Sequence, residues 1–180
     1  LQARFPHVDL FVRPSDVDGL ATWVEDTLLD RTAGAGSPLP RLYPGSSIDL
    51  QTGVPVSAEV AAMMGCDRHC TYCIVTQRRG PGRSRAPEEV VAEAAGLVRA
   101  GVREITLLGQ NVDAYGRDLA GRPNLAGLLR RVHDIPGLLR LRFLTSHPAD
   151  LEDEVIEAVA ELPKLCPHWE LPVQAGDDQV

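Results

Sequence analysis

Three of the chain's four cysteines, Cys66, Cys70 and Cys73, fall within eight positions, in the stretch "GCDRHCTYC". Their C-x3-C-x2-C spacing gathers soft thiolate donors on one short loop, a set suited to zinc or to an iron–sulfur cluster. Structural zinc asks for a closed tetrahedral shell, usually from paired C-x2-C elements or from Cys with His. The fourth ligands on offer are His69, wedged between the cysteines, and the distant Cys166. A 4Fe–4S cluster on three thiolates accounts for the count more simply, because it leaves one iron open to a substrate or cofactor. A disulfide between two of the three would strand the third thiol in a reducing compartment. The spacing therefore favours the cluster, with a zinc-stabilised binding module as the rival.

Just beyond the cysteines, "RRGPGRSR" (78–85) carries Arg78, Arg79, Arg83 and Arg85 with no acidic residue between them. The whole chain is acidic, with a net charge of −7, which on its own argues against a nucleic-acid partner. Local fields matter more than totals, so a solvated basic loop and a phosphate-contacting segment both remain open.

The elements that position these residues read as a strand–helix rhythm. "AEVAAMM" (58–64) is expected as a strand leading into the cysteine loop. "APEEVVAEAAGLVRAG" (86–101) is a punctuated helix, with Pro87 in its first turn, Glu88 and Glu89 at the positive end, and Arg99 and Gly101 at its stop. A strand is expected over 102–109, a helix over 124–135 and a strand over 138–146. A helix over 150–162 is opened by Asp150, and a further strand covers 168–173. Such alternation implies parallel pairing, in a doubly wound sheet or a β/α barrel. The cysteine loop, Gly109-Gln110-Asn111, Ser146 and Gln174 each follow an expected strand, the edge where parallel α/β folds bind ligands.

Upstream, 1–30 reads as the end of another α/β unit, with a strand at 8–12 and a helix to about Leu29. Residues 31–57, dense in Gly, Pro and Ser, read as a linker, and 58–180 as the core. A content of 44% hydrophobic and 24% charged residues is that of a globular protein. No apolar run approaches the roughly 20 residues that span a bilayer. Few, clustered cysteines speak against a secreted disulfide framework and for a reducing cytoplasm. With no initiator Met and no signal-peptide layout, a fragment of a longer chain is expected.

On "GCDRHCTYCIV", "RGPGRSR", "GVREITLLGQNVDAYG", "RLRFLTSHP" and "LPVQAG", the chain resembles the radical S-adenosylmethionine superfamily. Within that superfamily it resembles the MiaB-type tRNA methylthiotransferases. The resemblance covers 58–180 strongly, and 1–30 more loosely as the tail of the family's N-terminal domain. "GQNV" and "TSHP" favour the isopentenyladenosine group over relatives that modify a ribosomal-protein aspartate or threonylcarbamoyladenosine. The chain departs from the family at Thr76-Gln77, where Pro and an aromatic are common, and at "LPVQAGD", where "LPVQSGS" is usual.

The resemblance implies the first half of a partial β/α (TIM-like) barrel, with Cys66, Cys70 and Cys73 holding a 4Fe–4S cluster whose open iron binds S-adenosylmethionine. It implies that Tyr72 serves the adenine pocket and that Gly109, Gln110 and Asn111 meet the methionyl amine. Ser146, Gln174 and Arg85 are candidates for the ribose or carboxylate. It also implies the chemistry: a 5′-deoxyadenosyl radical takes hydrogen from C2 of the modified adenine, and sulfur and a methyl group follow. A second 4Fe–4S cluster, bound by an N-terminal domain, supplies the sulfur; no cysteine precedes Cys66 here. The implied partners are the anticodon arm of tRNA, contacted by Arg78 and Arg79, and a flavodoxin- or ferredoxin-like electron donor to a monomeric cytoplasmic enzyme. Cys166 is expected to be a buried structural thiol.

Overall fold

The computed structural model describes residues 55–174, 176 and 177; the strand expected at 8–12, the helix after it and the linker up to residue 54 lie outside them. In chain order the elements are β1 (Ser57–Ala61), β2 (Met63–Met64), α1 (Val75–Arg79), β3 (Arg83–Ser84), α2 (Pro87–Arg99), β4 (Glu104–Leu108), α3 (Leu125–His133), β5 (Arg140–Phe143) and α4 (Asp153–Glu161). A 3₁₀ turn, Val112–Ala114, follows β4.

β1, β4 and β5 form a parallel sheet in that order, with Ser57 opposite Glu104 and Glu104 opposite Arg140. The helices α2 and α3 supply the crossovers that parallel neighbours need. α2 forms because Pro87 fits its first turn and Val90, Ala94 and Val98 recur at helical spacing, giving one buried stripe. α3 is capped by Asn124, whose side chain accepts from the Gly127 N–H at 2.9 Å. It buries Leu125, Leu128, Leu129 and Val132.

α2 packs on α3 and α3 on α4, so the three helices cover one face of the sheet side by side. Beneath them lie Ile105, Leu107, Leu141 and Phe143, all buried. Each such side chain contributes about 1.5–3 kcal/mol by leaving water. Glu104, Thr106, Arg140 and Arg142 occupy the other strand positions, and Glu104 accepts from both Arg140 and Arg142. The strands are thus two-faced, with period two.

Three expectations need correction. The strand over 58–64 splits at Ala62, whose N–H still donates to the Leu108 carbonyl at 2.8 Å. Arg85 then claims the free carbonyls: its N–H donates to Ala62 at 2.9 Å and its guanidinium to Ala61 at 2.8 Å. Met63 and Met64 turn away to pair antiparallel with Ser84 and Arg83.

The strand over 168–173 does not form among the described residues. Beyond α4 there is a single parallel bridge, Leu165 to Leu141, and then extended chain. Pro167 precedes this stretch and Pro172 falls within it, and each removes a ladder donor. It is held instead by Ser146 N–H to Glu170 O at 3.0 Å and by Trp169, edge-on to Phe143 at 5.3 Å.

Asp150, thirdly, does not open α4, which begins at Asp153 with Glu152 as its uncapped N-cap residue. The Asp150 carboxylate is buried and taken by Arg68, Arg117 and Asn111. Two guanidiniums and a buried amide hold it more strongly than exposed helix N–H groups would.

Candidate functional site

The cysteine loop leaves β2 at Gly65 and returns along β3. Gly65 has φ +76°, and a Cβ there would stand 2.0 Å from the Pro81 carbonyl oxygen, so only glycine allows the two limbs to touch. Hydrogen bonds close the approach: Cys66 N–H to Gly80 O at 3.2 Å, Gly82 N–H to Asp67 Oδ1 at 3.1 Å, and Gly65 N–H to Gln110 Oε1 at 2.7 Å. The loop is thereby fixed to the C-terminal end of β4. On its far side, Ser84 N–H donates to Asp118, Gly116 N–H to Ser84 Oγ, and Tyr115 O–H to the Arg85 carbonyl.

Cys66, Cys70 and Cys73 are free thiols, each half-buried, and all three line one cleft with Tyr72, Gln110, Asn111, Ser146 and Gln174. Backbone N–H groups point at two of the sulfurs, Arg68 N at 3.4 Å from Cys66 Sγ and Val75 N at 3.5 Å from Cys73 Sγ. Donors of this kind stabilise a thiolate and tune the metal it holds. Burial pushes the Cys66 thiol up, against the opposing pull of the Arg68 N–H. Among the described residues no three His, Cys, Asp or Glu side chains converge on a point that could hold one metal ion.

Across the cleft, the Tyr72 hydroxyl donates to Gln174 Oε1, joining the cysteine loop to the segment after α4. Gln174 has φ +71° and Thr145 φ +72°, backbone that non-glycine residues seldom adopt, at the two chain segments that face the cysteines. Ser146 is buried, and its hydroxyl donates to Asp113 Oδ1 at 3.2 Å. Asp113 also accepts the His147 N–H at 2.8 Å; burial nonetheless pushes its carboxyl above the usual range.

Gly109 and Arg85, expected at the cofactor site, do not line the cleft, and neither do Arg78 and Arg79, expected as tRNA contacts. Gly109 lies just beneath it, where a Cβ would meet Met63 Cγ at 2.7 Å, so the glycine serves packing. Arg85 buttresses the end of β1 and pairs with Glu93 at 2.7 Å. Arg78 and Arg79 are exposed in the last turn of α1. Cys166 is half-buried on the far side of β5, its N–H donating to the Leu141 carbonyl.

Sequence reasoning missed the charged cluster around Asp150. Asp150 accepts from Arg68 Nε at 2.6 Å and from Asn111 Nδ2 at 2.6 Å, and further from Arg68 Nη2 and Arg117 Nη1. Burial works against its charge, but Arg68, Arg117 and Asn111 together overcome this and hold its carboxyl well below the usual carboxylate range. Asn111 is itself buried, and its Oδ1 has no hydrogen-bond partner. The one available signal was Arg68, a cation set between two cysteines.

Residues 60–180 match the family model described as the Radical SAM superfamily. The tRNA-2-methylthio-N(6)-dimethylallyladenosine synthase of Roseiflexus sp. (strain RS-1) is 51% identical over 178 residues, 98% of this chain and 35% of that protein. The enzyme of the same name from Dehalococcoides mccartyi (strain CBDB1) is 57% identical over 126 residues, 70% of this chain and 30% of the relative. That of Herpetosiphon aurantiacus is 44% identical over 178 residues, covering 98% and 38%. The chain spans about a third of the length of these curated relatives. Among the described residues no helix is long and apolar enough to cross a membrane.

Proposed function

The chain belongs to the radical SAM superfamily, and from that premise we propose that it is the radical-forming part of a tRNA methylthiotransferase acting at C2 of N6-isopentenyladenosine. One observation carries this reading: three thiols line one cleft at the C-terminal edge of a parallel sheet together with buried Asn111, whose side-chain oxygen has no partner. Helices laid side by side on one face of that sheet suit an arc of a β/α barrel, the fold that the resemblance implies.

The residues present fit a 4Fe–4S cluster. Each thiolate in such a cluster binds a different iron, so thiols spread around a cleft suit it better than a single tetrahedral ion. The N–H groups directed at Cys66 and Cys73 are the donors such sulfurs take. Asn111 Oδ1, an acceptor in want of a donor, suits the ammonium group of S-adenosylmethionine. Held by these three cysteines, the cluster would supply one-electron reductive cleavage of the sulfonium C–S bond of S-adenosylmethionine, releasing methionine with the adenosyl radical.

The chain's own groups then divide the work. Cys66, Cys70 and Cys73 hold the cluster, and Gln110 fixes the start of their loop through Gly65. Tyr72 and Gln174 bridge the cleft at the adenine and ribose side, with Ser146 held still behind them by Asp113. Arg78 and Arg79 lie outside, where phosphates of the anticodon arm reach them. Sulfur insertion draws on a second cluster in the N-terminal part of the whole enzyme, and reduction on a flavodoxin- or ferredoxin-like donor.

The test is anaerobic reconstitution of the full-length protein with iron and sulfide. The electron paramagnetic resonance spectrum of the reduced protein is expected to shift on adding S-adenosylmethionine. Isopentenylated tRNA is expected to gain a methylthio group, seen by nucleoside mass. Stoichiometric zinc without iron uptake, or unmodified tRNA from an active cluster, overturns the proposal.

A further inference from the structure

Asp150 does not line the cleft shared by the three cysteines, but borders a neighbouring cavity with Cys66, Arg68, Asn111 and Arg117, and it accepts four hydrogen bonds. Oδ1 takes Arg68 Nη2 and Arg117 Nη1; Oδ2 takes Arg68 Nε and Asn111 Nδ2. A carboxylate has about four lone-pair sites and only accepts, so Asp150 is saturated. Its three partners come from two segments: Arg68 from the cysteine loop, and Asn111 and Arg117 from the connection between β4 and α3.

The consequence falls on Asn111. An ionised carboxylate must face the NH2 side of a neighbouring amide; turning the amide over would set two oxygens against each other. With Nδ2 committed to Asp150, the group that Asn111 has left is its oxygen, buried and without a donor. Asn111 lines the same cleft as the three cysteines.

We propose that Asp150 is a positioning residue that fixes the Asn111 amide so that an acceptor, and not a donor, meets the ammonium group of S-adenosylmethionine. This rests on the cofactor assignment made above. Asp150 selects the ligand's chemical group without touching the ligand. Arg68 and Arg117 fill the other acceptor sites of Asp150, and the Arg117 pair remains when Arg68 is removed.

The experiment uses the full-length, cluster-loaded enzyme and two ligands, S-adenosylmethionine and its des-amino analogue, which keeps the sulfonium and the carboxylate. In Asp150→Asn the side chain at 150 has a donor of its own, and the Asn111 amide is free to turn. Affinity for S-adenosylmethionine is expected to fall roughly tenfold, the worth of one hydrogen bond to a charged group. Affinity for the des-amino analogue is expected to stay within about twofold.

A purely structural role weakens both ligands alike, and that outcome overturns the proposal. Should Asp150→Asn fail to fold or to keep iron, Arg68→Ala decides, because it leaves the Asp150–Asn111 bond intact. Retained discrimination between the two ligands supports the proposal; lost discrimination assigns it to the loop and refutes it. If the wild type binds neither ligand, the cofactor assignment itself falls, which is a separate result.

Discussion

The side-chain oxygen of Gln110, two residues past β4, accepts the backbone N–H of Gly65 at 2.7 Å. The C-terminal end of β4 thus holds the residue that precedes Cys66. Gln110→Ala leaves that N–H without a partner and is expected to cost about 1–3 kcal/mol of stability. Chelators should strip iron from it faster than from the wild type. Gln110→Glu keeps an acceptor and should stay close to the wild type in the same assay; equal iron loss in all three proteins would count against this latch.

Gly65 admits no side chain. Its φ of +76° and the 2.0 Å approach of the Pro81 oxygen compound each other. Gly65→Ala is expected to destabilise the domain by more than about 3 kcal/mol, well above an ordinary surface change. Thermal unfolding measures it. Gly80→Ala is the comparison: Gly80 has φ +76° but nothing within 4 Å of the added carbon, so it isolates backbone strain from collision.

Each of Cys66→Ser, Cys70→Ser and Cys73→Ser should lose most of the bound iron after reconstitution. Cys166→Ser should keep it, since that residue does not line the cleft. Iron and sulfide analysis on the four variants is enough. Iron loss in Cys166→Ser, or full iron in any of the others, would contradict the ligand set.

Ligation requires the thiolate, and burial raises the Cys66 pKa, so more of this thiol is protonated at neutral pH than of a free cysteine. A raised pKa moves deprotonation to higher pH. Cluster assembly should therefore release a proton and accelerate as pH rises from about 7 toward 9. The growth of the brown absorbance at a series of pH values reads it directly, and a flat profile would show that deprotonation of Cys66 is not limiting.

Arg78→Ala with Arg79→Ala should weaken tRNA binding and flatten its dependence on salt, lowering the slope of log affinity against log salt by roughly 1.4–1.8 if each contacts one phosphate. Arg99→Ala is the control, an exposed arginine at the C-terminal end of α2, away from the cleft edge. An unchanged slope in the double variant removes these two residues from the interface.

Much of this was written locally. Pro87 and the Val90, Ala94, Val98 stripe announce α2, Asn124 announces the start of α3, and the cysteine spacing stands out without any fold. What escaped depends on distant partners. Met63–Met64 and Arg83–Ser84 are too short to carry a period, and their pairing is set by the contact of Gly65 with Pro81. Asp150 has the side chain of a helix cap, but Arg68 lies 82 positions away in sequence and is nearer in space. Local pattern cannot rank a cap against a buried ion pair. Similarly, the apolar residues of 168–173 suggest a strand, and Pro167 before them and Pro172 among them work against one.

The pairing of β2 with β3 has a further consequence, for repair. The cysteine segment leaves and rejoins the body at neighbouring points, so the entropy of closing that loop is met by backbone pairing and not by metal. The sheet and its three helices bury their core without drawing on any of the three cysteines. Losing iron to oxygen should then disorder one loop and leave the rest standing. A bleached molecule would need only iron and sulfide to recover, with no return through the unfolded chain.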